Sequence, residues 1–541
     1  MRGLRPLFLL LPALLALAPG ADAARFELLI RGGRVIDGTG NPAFFADVGI
    51  TNGRVAAIGR LTQDDAGAAT VVDARGLVVA PGFIDVHTHA EEIDELPLGE
   101  NFVRMGVTTL MLGNCGTSAL DVGRFLARLE ATNISPNVAT LIGHGTVRSQ
   151  VMGGSFLRPP TEEELGRMGD YVDRAMRDGA FGLSTGLIYL PGTFAKTEEL
   201  VAVAKVAGRH GGIYASHMRD EGLKIGEALE EVFRIAREGG LRAQVSHVKL
   251  SGNASWGQPD RVLAAMERAR AEGLDITQDQ YLYTASSTGL SQLVPEQWRE
   301  GGKFRERLAD PAQKAELVAG MKERLRKNGR GDYAYAVIAR YEKDPSLNGL
   351  NVREAARKKR GSDTLDEQIE LVLEIQANGG ASGIFHGIHE ADLQAFLAHP
   401  NTMVASDSGV RKFGEGVPHP RGYGNAARLL ARYVRELKVL RLEDAVRRMT
   451  ALPASVFRLR DRGVLREGAW ADVVVFDPAR VQDRATFAQP HQYATGFAWV
   501  LVNGVPVVRD DVHTGARPGH ALRHGRQGGA GFGGAAEVRI P

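Results

Sequence analysis

The feature that most restricts the fold of this 541-residue chain is a regular alternation of apolar runs with helical segments between residues 81 and 455. One helical segment is well marked, because Thr161 and Glu164 form a capping-box pattern at its start and Gly179 follows its end. Strands that alternate with helices in this way are typical of βα units with a parallel sheet. We count about eight such runs, which favours a (β/α)8 barrel over a doubly wound sheet. The runs are GFIDVHTH, TTLMLGNCG, VATLIGHG, FGLSTGL, IYASHMR, AQVSHVK, DITQDQY and TMVASDSG.

A ninth apolar run, SGIFHGI, exceeds what a barrel of this size can hold. It must therefore lie outside the barrel or replace one of the other runs. A long charged insertion, at about residues 295–365, separates the seventh run from the eighth. We therefore expect a barrel domain over residues 81–455 that contains this insertion.

The two ends of the chain are rich in short β-like runs. In residues 24–80, Asn52-Gly53 lies between alternating runs, and in residues 456–520 the pair Asn503-Gly504 does the same. An Asn-Gly pair in this setting is a strong hairpin signal. We expect one small composite β-sandwich domain built from both termini, so the predicted fold class is α/β. The Gly-rich residues 521–541 are expected to form a disordered tail.

Residues 1–23 have the pattern of a signal peptide. Arg2 and Arg5 precede an apolar run, and Ala21-Asp22-Ala23 provides the small residues of a cleavage site. The apolar run is shorter than the roughly 20 residues that a membrane span needs, and an uncleaved anchor is the alternative. The pattern predicts export, which gives a periplasmic or secreted bacterial protein.

The charge of the chain is nearly balanced, with 66 Lys plus Arg against 64 Asp plus Glu. This balance gives no support for a nucleic-acid partner or, once the signal peptide is removed, for a membrane partner. The single cysteine, Cys115, means that the chain has no internal disulfide.

Residues that bind metals or protons recur where the apolar runs end. Barrel enzymes place their chemistry at the carboxyl ends of the strands. A single histidine at such an end is usually a hydrogen-bonded structural residue. Several of them are harder to explain, because each buried imidazole needs a partner, and one metal site would satisfy them together. The residues are His87, His89, Cys115, His144, His217, His247 and Asp407.

The spacing and type of these residues favour a metal. His87 and His89 are two residues apart on a strand and face the same side, although an H-x-H pattern alone is a weak motif. Imidazole and thiolate together suit zinc. Cys115 lies beside Gly116 and can bind a metal as a thiolate. We expect Cys115 to be a metal ligand; the alternative is a small buried apolar residue.

Several sequence blocks resemble those of a known family. APGFIDVHTH after a β-rich segment is similar to the amidohydrolase superfamily, whose members are metal-dependent hydrolases on a barrel with a composite β domain. Further blocks between residues 80 and 425 resemble the N-acyl-D-amino-acid deacylases, also called D-aminoacylases. The combination is specific, whereas no single block would be. These blocks are GNCG, GAFGLSTGLIYLPG, TEEL, ASHMRDEG, SHVKLSG, DQYLYTASSTGL, ASDSG and HPRGYG.

The resemblance implies a role for each of nine residues. A tight zinc site is implied at Cys115, His217 and His247. A second, weaker metal position is implied at His87 and His89, with Asp407 adjacent. Asp407 matches the catalytic acid and base. Lys249, Arg421 and Tyr281, chosen over Tyr283, match groups that bind the substrate α-carboxylate.

The implied function is zinc-dependent hydrolysis of the amide bond of N-acyl-D-amino acids, giving a carboxylate and a free D-amino acid. The small-molecule substrate is then the expected partner. Two departures from the family pattern concern the acyl group: HTH continues with Ala90-Glu91, where an acidic pair is usual, and GNCG continues with Thr117. We expect Arg219, Asp220 and Glu221 to be structural or to support the site from behind its ligands. We expect His144 to line or support the site and not to be a ligand.

Two alternatives remain open at this point. One is another amidohydrolase that acts on dipeptides or on cyclic amides, as hydantoinases and dihydroorotases do. Those cyclic-amide enzymes commonly bridge two metals with a carboxylated lysine on the fourth strand, but the fourth run here has none and Lys196 lies well beyond it. The other alternative is a binding module on an inactive barrel, which the complete set of donor residues argues against.

Overall fold

The computed structural model describes residues 26–61 and 68–525. The predicted signal peptide lies outside these residues. The strands are β1 (Phe26–Val35), β2 (Phe44–Thr51), β3 (Arg54–Gly59), β4 (Ala68–Asp73), β5 (Val78–Pro81), β6 (Phe83–Asp85), β7 (Val107–Leu112), β8 (Asn137–Thr140), β9 (Ile142–Gly143), β10 (Gly182–Gly186), β11 (Ile213–His217), β12 (Arg242–Val245), β13 (Ile276–Gln280), β14 (Ala285–Gly289), β15 (Ala336–Arg340), β16 (Ser382–His386), β17 (Thr402–Val404), β18 (Val473–Phe476), β19 (Phe497–Val502), β20 (Val505–Arg509) and β21 (Val512–His513).

Helices cover the outside of the parallel strands and form much of the inserted segment. The helices are α1 (Glu100–Val103), α2 (Val122–Thr132), α3 (His144–Met152), α4 (Glu162–Asp178), α5 (Thr197–Arg209), α6 (Ile225–Gly239), α7 (Pro259–Ala271), α8 (Phe304–Ala309), α9 (Pro311–Lys327), α10 (Val352–Arg360), α11 (Leu365–Ala377), α12 (Glu390–Ala398), α13 (Arg421–Arg428), α14 (Leu442–Met449) and α15 (Ala451–Val456). None of the helices in the described part of the chain has both the length and the apolarity needed to cross a membrane.

The parallel strands close into a barrel. Their order is β17-β13-β12-β11-β10-β9 in one sheet and β6-β7-β8 in the other. β8 and β9 are consecutive parts of one run and join the two sheets, and a parallel bridge between Thr88 and Ser408 closes the other side. All the runs counted in the sequence as barrel strands contribute to this barrel. The prediction of a (β/α)8 barrel is therefore confirmed.

The ninth run, SGIFHGI, lies outside the barrel. It contains β16, which is the middle strand of an antiparallel sheet with the order β14-β16-β15. This sheet packs with α8 to α11 around a core of its own, which includes Leu317, Tyr333 and Ile369. The insertion extends beyond the predicted residues 295–365 on both sides, because its middle strand needs β14 and β15 as partners.

The terminal segments form one small β domain, as predicted. β18 from the C-terminal segment pairs with β5 from the N-terminal segment, and the full order is β21-β20-β19-β18-β5-β1-β2-β3, with β4 paired to β1. The strands thus form one hydrogen-bonded sheet and not two separate ones. Along β18, Val473 and Val475 join the core of this domain, whereas Val474 and Phe476 pack in the barrel core. The sheet is therefore fixed to the barrel by alternate side chains.

The first residues of the predicted tail are ordered. Leu522 donates its backbone N–H to the Val138 carbonyl at 2.7 Å, and its side chain packs with Phe181 and Ile213 at the amino ends of the strands. Ala521 is also buried. These apolar residues precede the Gly-rich stretch, so the predicted boundary at residue 521 falls too early. Residues 526–541 of the predicted tail lie outside the described residues.

Candidate metal centre

The donor residues predicted from sequence meet at the carboxyl end of the barrel. His87 lies just after β6, Cys115 after β7, His217 at the end of β11, and His247 after β12. Asp407 follows β17, the last barrel strand. Because parallel strands present their carboxyl ends on the same side, residues distant in sequence converge there.

Cys115 lies at the centre of three imidazoles. Its Sγ atom is 3.3 Å from Nε2 of His87, 3.7 Å from Nδ1 of His217 and 3.7 Å from Nε2 of His247. All of these side chains are buried. Nε2 of His217 has no hydrogen-bond partner within the described residues, which leaves a buried polar atom unsatisfied. The cluster is thus a set of nitrogen and sulfur donors of the kind that binds zinc.

A second cluster lies against the first and shares His87 with it. Nε2 of His89 is 3.1 Å from Oδ1 of Asp407, and Nε2 of His87 is 3.5 Å from the same oxygen. Donor atoms of His87, His89 and Asp407 all lie within 4.8 Å of one another, as do those of His87, Cys115 and His247. His87 therefore lies between two candidate metal positions.

Three of the donor residues have left-handed backbone conformations. The φ angles are 53° at Cys115, 34° at His247 and 51° at Asp407. Such angles cost energy for residues with side chains, and they cluster at functional sites where the surroundings enforce them. Gly116 shows the crowding, since a Cβ atom there would lie 2.8 Å from the backbone nitrogen of Gly186. The turn after β7 is thus held against the end of β10, which fixes the direction of the thiol.

The thiol of Cys115 is stabilised as a thiolate. Burial alone raises the pKa of Cys115, but the charge of His87 and hydrogen bonds with His217 and His247 outweigh it and place the pKa well below its usual value. A cysteine must lose its proton to bind a metal. The surroundings of Cys115 therefore favour the ligand form of its side chain.

The carboxyl of Asp407 is strongly biased towards its ionised form. Burial raises the pKa of Asp407, but the charges of Arg421 and His87 lower it further, so it lies well below its usual value. Oδ2 of Asp407 is 2.8 Å from a guanidinium nitrogen of Arg421. This ion pair was not expected, because the sequence assigned Arg421 to the substrate alone.

Glu221 lies behind two donor residues, which is one of the two places expected for it from the sequence. Its Oε1 atom accepts a hydrogen bond from Nζ of Lys249 at 2.6 Å and lies 2.9 Å from Nδ1 of His247. Its other oxygen is 3.8 Å from Nε2 of His217. A carboxylate on the far side of a ligating imidazole orients the ring and raises its basicity. Glu221 therefore joins Lys249 to two of the candidate zinc ligands.

Two of the three predicted substrate residues line a cavity above the donors, and the third, Arg421, is buried behind this lining. The cavity has a volume of about 310 Å³ and is lined by Lys249, Tyr281 and Asp407, among others. The Arg421 guanidinium lies 4.4 Å from the ring of Tyr281, whose buried hydroxyl has no hydrogen-bond partner within the described residues. Tyr283 is absent from the lining and stacks under Arg428 at 4.5 Å. The geometry favours Tyr281 as the residue that faces a substrate.

Sequence reasoning missed two residues at the site. Asp279 accepts a hydrogen bond from the backbone N–H of His247 at 2.9 Å and lies 3.4 Å from Nδ1 of His87. Tyr189 lines the cavity, with its ring centroid 4.8 Å from that of His217. An acidic residue inside the apolar run DITQDQY was a usable signal for Asp279, and Tyr189 lies in the block GAFGLSTGLIYLPG that carries part of the family resemblance.

His144 does not reach the cavity. Its Nε2 atom bonds to Glu199 at 2.8 Å, and Arg148 donates to the same carboxylate at 2.9 Å. This buried ion cluster lies between α3 and α5. The expectation that His144 lines the site is wrong, because Glu199 draws the imidazole away from it.

The comparisons with known proteins agree with this site. Residues 70–508 match the model of the Amidohydrolase family. The D-aminoacylase of Alcaligenes xylosoxydans xylosoxydans is 38% identical, with 93% of this chain and 98% of that protein aligned. A crystal structure of a D-aminoacylase superposes with a TM-score of 0.79 at 36% identity, covering 92% of this chain and 100% of the other. The chain therefore belongs to the amidohydrolase family, and its resemblance to the D-aminoacylases is confirmed.

A further solved structure contains a metal. It is the N-acyl-D-glutamate deacylase from Bordetella bronchiseptica, complexed with zinc and a phosphonate inhibitor that mimics the tetrahedral intermediate of the reaction. That structure is 36% identical and superposes with a TM-score of 0.78, covering 92% of this chain and 99% of the other.

Proposed function

We propose that this protein is a zinc-dependent deacylase that hydrolyses the amide bond of N-acyl-D-amino acids, releasing a carboxylate and a free D-amino acid. The observation that carries the proposal is the convergence of Cys115, His217 and His247 below a cavity that also presents Lys249 and Tyr281. The thiol and imidazole donors suit zinc, and Lys249 and Tyr281 suit a substrate with a carboxylate.

We assign the tight zinc position to Cys115, His217 and His247, and a second, weaker position to His87, His89 and Asp407. The fit is supported by the donor set, in which the Cys115 thiol faces Nδ1 of His217 and Nε2 of His247, and by the environment that stabilises a thiolate at Cys115. Zinc in such a site acts as a Lewis acid and makes water a nucleophile near neutral pH. β10, the fourth barrel strand, reads GLSTG and offers no lysine to bridge two metals, which argues against the hydantoinase alternative.

Asp407 is assigned the proton transfers. Its ionised carboxylate accepts a proton from the attacking water and then delivers it to the leaving nitrogen, as an amine leaving group requires. The ion pair with Arg421 keeps the pKa of Asp407 low before substrate binds. When Arg421 shares its charge with a substrate carboxylate, we expect the pKa of Asp407 to rise, which makes the residue a better base.

Lys249, Arg421 and Tyr281 are assigned to the α-carboxylate. A carboxylate held at one point and a scissile carbonyl held at the metal fix two of the substituents around the α-carbon. The side chain must enter the remaining space, so only one enantiomer is well placed. Misplacement by about 1 Å can cost on the order of 10²-fold in rate. The similarity to D-aminoacylases supports the D enantiomer as the one accepted.

The test is a set of kcat/KM values for N-acetyl-D-amino acids and their L enantiomers, measured with zinc-loaded protein. Hydantoin and simple dipeptides serve as control substrates. Turnover of the D series above all the others is expected. Faster turnover of the L series, of hydantoin or of dipeptides would contradict the proposal.

We further propose that the protein is exported, on the strength of the basic, apolar and small-residue regions of residues 1–23. The mature protein from its native host should begin at or near Ala24, which N-terminal sequencing can measure. Recovery of intact Met1 in the cytoplasmic fraction would contradict export.

A further inference from the structure

The cavity extends beyond the barrel and under the inserted segment. Its far part is lined by side chains of the insertion, among them Leu325, Tyr333, Tyr335 and Phe385. A substrate bound at the donor residues has room to reach these side chains. The insertion therefore supplies part of the cavity wall.

The acidic groups of the cavity are already neutralised or hydrogen-bonded. Asp407 pairs with Arg421 at 2.8 Å, and Glu221 pairs with Lys249 at 2.6 Å. Asp220 accepts hydrogen bonds from two backbone N–H groups. None of these carboxylates pairs with a cation of the insertion within the described residues.

Two arginines of the insertion, Arg324 and Arg330, line the same cavity. Neither forms an ion pair with a carboxylate in the part of the chain that the structure describes. Their neighbour Arg326 differs, because it lies outside the cavity and pairs with Glu323 at 2.7 Å. Of these three arginines, the two that line the cavity are thus the ones without a carboxylate partner in the described residues.

Arg330 is held in place without being neutralised. Its guanidinium lies 3.7 Å from the ring of Tyr335, and one nitrogen donates to the His386 carbonyl at 3.0 Å. Arg330 is partly buried, whereas Arg324 is exposed at the rim. A fixed guanidinium with free N–H groups is suited to a carboxylate, which it can bind through two parallel hydrogen bonds.

We propose that Arg330, supported by Arg324, binds a second carboxylate of the substrate, so that the preferred substrates are N-acyl derivatives of acidic D-amino acids. This inference rests on the proposed deacylase function. The α-carboxylate is already assigned to Lys249 and Arg421, so the insertion arginines are available for another anionic group. The placement of that group on the amino-acid side chain, and not on the acyl chain, is part of the proposal.

The first test compares N-acetyl-D-glutamate with N-acetyl-D-glutamine, whose side chains differ by a charge and hardly in size. We expect kcat/KM to be at least about 10-fold higher for the glutamate derivative, because a hydrogen-bonded charge pair is worth about 1.5–3 kcal/mol. Arg330→Gln should remove most of this preference and leave turnover of the glutamine derivative within about 3-fold of the wild-type value. Arg330→Lys should retain part of the preference, and the matched control Arg326→Gln should retain all of it.

The second test places the carboxylate on the acyl chain by comparing N-succinyl-D-alanine with N-acetyl-D-alanine. We expect no gain from the succinyl group. A gain that Arg330→Gln abolishes would move the carboxylate to the acyl chain and overturn the side-chain assignment. Equal kcat/KM for the glutamate and glutamine derivatives would overturn the inference while leaving the deacylase function intact. Absence of turnover for every N-acyl-D-amino acid would instead overturn the function itself, and the inference with it.

Discussion

The two walls of the cavity are built in different ways. At the barrel end, Asp407 is buried and Glu221 is largely buried, and both are paired with a cation. Left-handed backbone at strand ends positions Cys115, His247 and Asp407. On the insertion side, Tyr333 and Tyr335 accompany unpaired arginines on a unit with its own core. Under the two proposals, the barrel end carries out the reaction, whereas the insertion selects the substrate.

The largest effect is expected from removal of the thiol. Cys115→Ala should lose most bound zinc and reduce activity by more than about 100-fold, since even the loss of a residue that supports a metal ligand costs 10–100-fold. The fold should persist, because the barrel core does not include the thiol-imidazole contacts. Zinc content by atomic absorption and far-UV circular dichroism measure the two effects. Stoichiometric zinc with wild-type rates would show that Cys115 is not a ligand.

Asp407→Asn tests the barrel end without removing a tight ligand. We expect kcat to fall by about 10²–10⁴-fold, because an amide cannot accept the proton from water. Zinc bound at Cys115, His217 and His247 should remain. A variant that keeps more than a tenth of the wild-type kcat would remove Asp407 from the proposed proton transfers.

Arg421→Ala separates the substrate role of Arg421 from its ion pair with Asp407. We expect kcat/KM for free-acid substrates to fall about 10–100-fold more than for the corresponding α-amides, because only the acids lose a charged hydrogen bond. Both should fall somewhat, since Asp407 also loses its partner. Equal losses would show that Arg421 acts through Asp407 alone.

Glu221→Gln is expected to have a smaller but distinct effect. Loss of the carboxylate behind His247 should weaken zinc affinity by about 10–100-fold, as measured by competition with a chelator. The matched variant Glu227→Gln, an exposed residue on α6, should leave zinc affinity unchanged. Unchanged affinity in Glu221→Gln would indicate that this carboxylate serves Lys249 only.

The sequence predicted the barrel end better than the insertion side. Most barrel strands are apolar runs followed by a helix, with polar residues at the end of the run. The local sequence pattern is therefore enough to place His217 or His247. The ion pair between Arg421 and Asp407 joins separate loops and has no local signal. The cavity face of the insertion depends on how β15 and β16 pair and on the turn after α9, which tertiary contacts decide. In the sequence alone, nothing therefore distinguishes Arg330 from a solvent-exposed arginine.

One measurement tests most directly whether the barrel end and the insertion have separate roles. It is the ratio of kcat/KM for N-acetyl-D-glutamate to that for N-acetyl-D-glutamine, determined together with zinc content in Cys115→Ala and Arg330→Gln. We predict that Cys115→Ala loses zinc and slows both substrates alike, whereas Arg330→Gln keeps zinc and lowers the ratio by about 10-fold. Loss of zinc in Arg330→Gln, or equal slowing of both substrates by that variant, would contradict the account.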